Sequence, residues 1–145
     1  MRLSLLAGMP SRSPMNLLVT YLVIGIGSAL GGLARYGCGL LAVALWGADF
    51  PWGTLLINII GSLVIGGFAS LTGPDGRVLV GPLGRQFVMV GLCGGYTTFS
   101  SFSLETLSLL QQGRLAAAAS YIALSLVLCL LGVWIGHALA RKANE

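Results

Sequence analysis

The stretch 115–140, LAAAASYIALSLVLCLLGVWIGHALA, contains no charged side chain over 26 residues. An α-helix rises about 1.5 Å per residue, so roughly 20 apolar residues cross the ~30 Å hydrocarbon core of a membrane. This stretch is therefore long enough and apolar enough to span a bilayer. Three further uncharged intervals precede it, at 13–34, 50–74 and 86–104, and each is close to that length or longer.

The composition of the whole chain excludes two other classes of protein. Of the 145 residues, 56% are hydrophobic and 8% are charged, and the mean hydropathy is +0.91. A soluble globular domain carries about 25% charged residues, and a disordered chain is poor in apolar residues. Neither description fits. Little sequence lies outside the uncharged intervals, so we expect no separate catalytic domain and no enzyme activity.

We predict an all-α membrane protein in which an exposed tail, 1–15, precedes a single transmembrane domain, 16–145. The expected helices cover about 17–46, 52–72, 86–110 and 115–140. An even number of helices places both termini and the loop between the second and third helices on one side. That side holds most of the positive charge: Arg2, Arg12, Arg77, Arg85, Arg141 and Lys142. Because arginine and lysine collect on the cytoplasmic side, this distribution favours termini inside the cell.

The middle of the third interval carries two glycines followed by hydroxyl residues. Gly94 and Gly95 weaken a helix, and Thr97, Thr98 or Ser100 can cap a new one. We therefore predict a third helix that is broken near the bilayer midplane. The freed main-chain carbonyl oxygens of Gly94 and Thr97 would suit a small cation. The alternative interpretation is that the glycines only permit close helix packing.

Two phenylalanines follow this predicted break. Phe99 and Phe102 are three residues apart and share one face of a helix. Such a pair usually faces lipid or the protein core. Here it lies among hydroxyl residues, and the edge of a phenyl ring is electropositive. The pair therefore also suits a path that attracts an anion weakly.

The second interval carries a polar stripe. Thr54, Asn58 and Ser62 recur every four residues in an otherwise aliphatic helix and so share one face. The amide of Asn58 supplies two hydrogen-bond donors and an acceptor at mid-depth. It can hold two helices together or replace the water around a passing ion, and the sequence favours both roles equally.

The last helix is predicted to pack closely through one face. That face carries Tyr121, Ser125, Cys129, Gly132 and Gly136. Small residues four apart, here and at Gly27 and Gly31 in the first helix, allow main chains to approach each other in a membrane. The cysteines, Cys38, Cys93 and Cys129, show no paired spacing and are expected to be small packing residues.

Three motifs in this order resemble one known family. They are GGLARY at 31–36, GTLLINIIGS at 53–62 and GGYTTFSSFSLE at 94–105. They closely resemble the Fluc (CrcB) family of bacterial fluoride channels, and the resemblance extends from about Asn16 to the C-terminus.

The resemblance implies a channel in the bacterial inner membrane that is selective for fluoride and exports it passively. It implies an antiparallel, dual-topology homodimer with two pores and a central structural sodium ion, and no nucleic-acid partner. The sodium ligands would be the main-chain carbonyls of Gly94 and Thr97, and Arg35 would lie in a vestibule. The pore residues implied are Asn58, Thr98, Phe99, Ser101, Phe102, Tyr121 and Ser125. Cys129 stands where the family pattern predicts a hydroxyl residue, and the charge distribution is more asymmetric than dual topology suggests.

Two other functions fit the sequence less well. A small proton-coupled exporter of organic cations needs a carboxylate deep in a span, and the sequence offers only Glu105 at the edge of its interval. A scaffold that transports nothing would not account for the polar stripes. The sequence contains no phosphate-binding loop of the GxxxxGK[ST] type, so any flux is expected to be passive.

Overall fold

A computed structural model describes residues 14–145, and all regular structure in that range is helical. The helices are α1 (Pro14–Trp46), α2 (Trp52–Leu71), α3 (Pro82–Arg85, Gln86–Cys93 and Gly94–Tyr96 in succession), α4 (Phe99–Gln111) and α5 (Leu115–Asn144). Four segments are long and apolar enough to cross a membrane: Met15–Trp46, Trp52–Leu71, Pro82–Gln111 and Leu115–Asn144. The prediction of an all-helical protein with four spans is confirmed.

The helix ends follow local chemistry. Proline suits the first turn of a helix, where its missing N–H is not needed, and α1 begins at Pro14. Of the predicted exposed tail, residues 14 and 15 belong to α1. The rest, 1–13, lies outside the described residues. Gly47 follows α1 with a φ of 76°, and Gly113 lies between α4 and α5 with a φ of 72°. Side chains other than glycine rarely adopt this conformation, so these two glycines allow the chain to turn sharply.

Glycines allow α1 and α3 to pack main chain against main chain. A Cβ atom at Gly27 would lie 2.7 Å from the carbonyl oxygen of Phe87, and one at Gly91 would lie 3.0 Å from the Cα of Gly27. Within α3 the segment Gln86–Cys93 is a π-helix, a wider form that is common at functional sites. The small residues predicted to mediate close packing in α1 are at this contact.

Glycines also allow α2 and α5 to pack main chain against main chain. A Cβ atom at Gly132 would lie 3.1 Å from the carbonyl oxygen of Ile59. One at Gly136 would meet the main chain of Leu63 and lie 2.8 Å from the amide nitrogen of Gly67. The predicted close-packing face at the end of α5 is therefore confirmed.

The outer surface is apolar. Large side chains such as Leu33, Leu130 and Trp134 are exposed on α1 and α5, whereas Tyr121 is fully buried at the centre. In a membrane, apolar side chains can face the lipid tails and do not need to be buried in the protein. An apolar exterior around a small core therefore suits a bilayer. The chain is a multi-pass membrane protein.

Candidate functional site

The main chain leaves the helical conformation between α3 and α4. Thr97 has φ and ψ of −81° and 156°, and Thr98 has −151° and 116°. The side chain of Asn58 in α2 binds this point twice: its Oδ1 accepts from the Thr98 N–H at 2.8 Å, and its Nδ2 donates to the Thr98 carbonyl at 3.0 Å. In an uninterrupted helix the Thr98 N–H would donate to the carbonyl of Gly94, four residues earlier. Asn58 therefore takes a main-chain donor away from Gly94.

Thr98 also caps the following helix. Its Oγ1 accepts from the main-chain N–H of Ser101 at 3.1 Å, which satisfies one of the free donors at the start of α4. The hydroxyls of Ser100 and Ser101 lie 3.2 and 3.1 Å from the same oxygen. Thr98 is buried, so the polar cluster is held within the protein. Of the three candidate capping residues, Thr98 is the N-cap.

The predicted position of the break, at Gly94 and Gly95, is wrong. Gly94 is helical, with φ and ψ of −65° and −35°, and α-helical conformation continues to Tyr96. A Cβ atom at Gly95 would lie 2.8 Å from the Cα of Ser28 in α1. The lack of a side chain at Gly95 thus permits close packing on α1, and the main chain changes direction two residues later.

A cavity of about 390 Å³ lies beside the turn between α3 and α4. We call it the phenylalanine cavity. Its lining includes Asn58, Ser62, Thr98, Phe99, Phe102, Ser125 and Cys129, together with Gly94 and Thr97. The ring centroids of Phe99 and Phe102 are 5.4 Å apart, and the rings are tilted by 47°. Ser125 is 7% exposed, and its Oγ has no hydrogen-bond partner. The cavity therefore combines tilted aromatic rings with an unpartnered buried hydroxyl.

A second cavity, of about 610 Å³, lies toward the α1–α2 and α4–α5 loops. We call it the polar cavity. Its polar lining includes Arg35, Thr54, Thr98, Ser101, Glu105 and Arg114. Arg114 donates from Nη1 to the carbonyl of Asp49 at 2.6 Å. Among residues 14–145, Thr98 alone lines both cavities, which places its hydroxyl cluster at the boundary between them.

Tyr121 lines neither cavity. Its hydroxyl donates to Oε2 of Glu105 at 2.6 Å, and Thr54 donates to Oε1 at 2.7 Å. Its ring packs against Phe50 and Phe102, with centroids 5.5 and 5.1 Å away. The Tyr121 hydroxyl, which the resemblance assigns to a pore, is thus bonded to a carboxylate. Sequence reasoning missed the bonds of Glu105 to Thr54 and Tyr121; the signal available was a lone carboxylate at the end of an uncharged interval.

The described residues contain no group of three or more histidine, cysteine, aspartate or glutamate side chains that could hold a metal ion. A cation within 14–145 would therefore depend on main-chain oxygens or isolated side chains. Gly94 meets that requirement, since it is exposed and the usual donor to its carbonyl is bonded to Asn58. Carbonyl oxygens of this kind suit hard cations.

The fold and the site define a small multi-pass membrane protein in which the polar cavity and the phenylalanine cavity lie between helices of residues 14–145. Residues 22–137 match the family model described as CrcB-like protein, Camphor Resistance (CrcB), so the chain belongs to the CrcB family. This confirms the family that the three motifs indicate.

Curated relatives agree over most of their length. A protein of Rhodospirillum rubrum is 59% identical over 128 residues, which cover 88% of this chain and 98% of the relative. Proteins of Methylocella silvestris and Opitutus terrae are 57% and 53% identical over 125 residues, which cover 86% of this chain and 95% of each relative. All three relatives are named fluoride-specific ion channel FluC, so they are named as channels and not as enzymes.

Proposed function

We propose that this chain forms a fluoride-selective channel in the bacterial inner membrane that lets fluoride leave the cytoplasm down its gradient. The observation that carries the proposal is the phenylalanine cavity, whose lining includes Phe99, Phe102 and Ser125 with its unpartnered hydroxyl. The names of the relatives support the same ion.

The chemistry of the two cavities suits a small anion. Transfer of an ion from water into a medium of low dielectric constant has an idealised cost of order 20 kcal/mol, which the protein must offset without binding the ion too tightly. In the polar cavity, Arg35 and Arg114 supply positive charge beside the carboxylates of Asp49 and Glu105. Thr98 and Ser101 supply hydroxyls at its inner end. The phenylalanine cavity continues with the rings of Phe99 and Phe102, and the edge of a phenyl ring attracts anions weakly. Fluoride, a small ion and a strong acceptor, would gain more from such donors than a larger halide.

The path requires a second subunit. Phe99 is 75% exposed, so one chain leaves an aromatic wall of the cavity open to its surroundings. A second copy packed on this face would close the path, and we propose the antiparallel, dual-topology homodimer with two pores that the family resemblance implies. Closed symmetric dimers are the commonest form of oligomer.

We further propose that a structural sodium ion lies at the centre of this dimer and that the chain holds it through the carbonyls of Gly94 and Thr97. The residues fit such an ion, because the turn at Thr97 and Thr98 interrupts the third span and Asn58 withdraws a donor from Gly94. When bound, the ion would supply positive charge that holds the two interrupted helices together.

The direct test measures halide efflux from liposomes that contain the purified protein. With potassium fluoride inside and a potassium ionophore present, a fluoride electrode should record rapid release, and protein-free liposomes should retain the ion. The same liposomes loaded with chloride should release little of it. Chloride release at a rate comparable with that of fluoride would contradict the selectivity.

A second arm of this experiment separates the channel from a proton-coupled exporter. A channel should release fluoride equally with and without an imposed pH gradient once the membrane voltage is clamped. Fluoride movement against its gradient, driven by protons, would contradict passive transport.

A further inference from the structure

The wall that α5 contributes to the phenylalanine cavity carries a thiol. Cys129 is partly exposed and lines the cavity four residues after Ser125, on the same face of the helix. Four residues correspond to a rise of about 6 Å. The thiol therefore lies one helical turn beyond the unpartnered hydroxyl and faces the same space.

The cavity cannot continue along this face of α5 beyond Cys129. The next residues on that face are Gly132 and Gly136, which are buried against the main chain of α2. A Cβ atom at Gly132 would already lie 3.1 Å from the carbonyl oxygen of Ile59. An ion that moves past Ser125 toward Gly132 must therefore turn away from α5 at the thiol of Cys129.

The unpartnered hydroxyl indicates that the cavity accepts a polar guest. Buried polar groups are almost always hydrogen-bonded, and Ser125 Oγ has no partner in the part of the chain that the structure describes. Water or an anion that reaches Ser125 also reaches Cys129, because both line one cavity. Water is what a thiol needs in order to ionise and react.

We propose that Cys129 is a modification site for small reagents that form mixed disulfides, and that its modification blocks the anion path. This inference rests on the proposed channel function. In the reaction with methyl methanethiosulfonate, the thiol gives its proton to water and its sulfur attacks the methylthio sulfur. The sulfur–sulfur bond of the reagent breaks, and methanesulfinate leaves with the electron pair. The product carries an S-methylthio group in the space beside Phe99.

The chain offers matched controls. Cys38 is exposed on α1, accepts a hydrogen bond from the Tyr96 hydroxyl at 3.5 Å and lines neither cavity. Cys93 lines the phenylalanine cavity from α3 and is buried. The experiment therefore uses the unsubstituted protein and three single variants, C38S, C93S and C129S, each in liposomes.

Fluoride efflux is recorded before the reagent, after it, and after dithiothreitol, and mass spectrometry identifies the modified thiols. We expect the reagent to lower the efflux rate about tenfold or more in the unsubstituted protein, C38S and C93S, because a narrow path is obstructed. Dithiothreitol should restore it. The C129S variant should conduct fluoride at a rate that the reagent leaves unchanged.

Three outcomes would overturn the inference: Cys129 modified with efflux intact, Cys129 unmodified when Cys38 is fully modified, or block that persists in C129S. Absence of fluoride efflux before any reagent would instead contradict the channel function. The first recording thus distinguishes the two failures.

Discussion

Replacement of Asn58 by leucine tests the two hydrogen bonds to Thr98 that hold the turn between α3 and α4. Leucine has nearly the same size but neither donor nor acceptor, so N58L removes both hydrogen bonds to Thr98 without opening a large space. Thr98 is 8% exposed, so water replaces the lost partners poorly. A buried main-chain group that loses its partner costs about 1–3 kcal/mol, and the two groups together predict about 2–6 kcal/mol.

The assay is equilibrium unfolding in mixed micelles, followed by far-ultraviolet circular dichroism as the denaturing detergent is increased. The matched control is Ser62→Ala, one turn further along α2, where the side chain lines the same cavity and no bond to Thr98 is lost. We expect that control to change the free energy of unfolding by less than about 0.5 kcal/mol. An N58L protein as stable as the control would refute the reasoning that Asn58 stabilises the turn.

Three further predictions test the cavity and the packing. Phe99→Ile or Phe102→Ile should lower fluoride efflux from liposomes without changing the oligomeric mass, since the apolar bulk largely remains and the ring edge is lost; unchanged efflux would remove the rings from the path. Ser125→Ala should lower efflux. The free energy of unfolding should stay the same or rise, because an unpartnered buried hydroxyl contributes no bond. A clear loss of stability would show that the hydroxyl has a protein partner. Gly136→Ala should destabilise the protein by about 1–3 kcal/mol, because its Cβ would meet the main chain of α2. The control Gly25→Ala should not destabilise it, since a Cβ there meets nothing within 4 Å. Equal stability of these two variants would contradict the packing described.

Much of the fold follows from the sequence, because the membrane requires long apolar helices. The uncharged intervals predict four spans, and the end of the first at residue 46 agrees with the structure. The glycine pairs in α1 and α5 predict close contacts that the structure contains. These features depend on local composition and on spacing along one helix, which a single sequence displays directly.

The candidate site was less predictable because its bonds connect distant parts of the chain. Tyr121 and Ser125 share a face of α5, yet one hydroxyl is bonded to Glu105 and the other has no partner. Spacing within one helix carries no information about which helix lies opposite. For the same reason, the sequence left the two roles of Asn58 open, and only the packed structure shows its bonds to Thr98.

The two bonds between Asn58 and Thr98 also bear on how the protein is synthesised. The partners are 40 residues apart, and α2 emerges from the ribosome before α3 and α4. Until these segments meet, the Thr98 N–H can satisfy itself only with a carbonyl of its own helix, as an isolated helix in lipid requires. The turn at Thr97 and Thr98 is therefore completed by a contact between helices, because its two bonds to Asn58 can form only once α2 and the third span lie side by side.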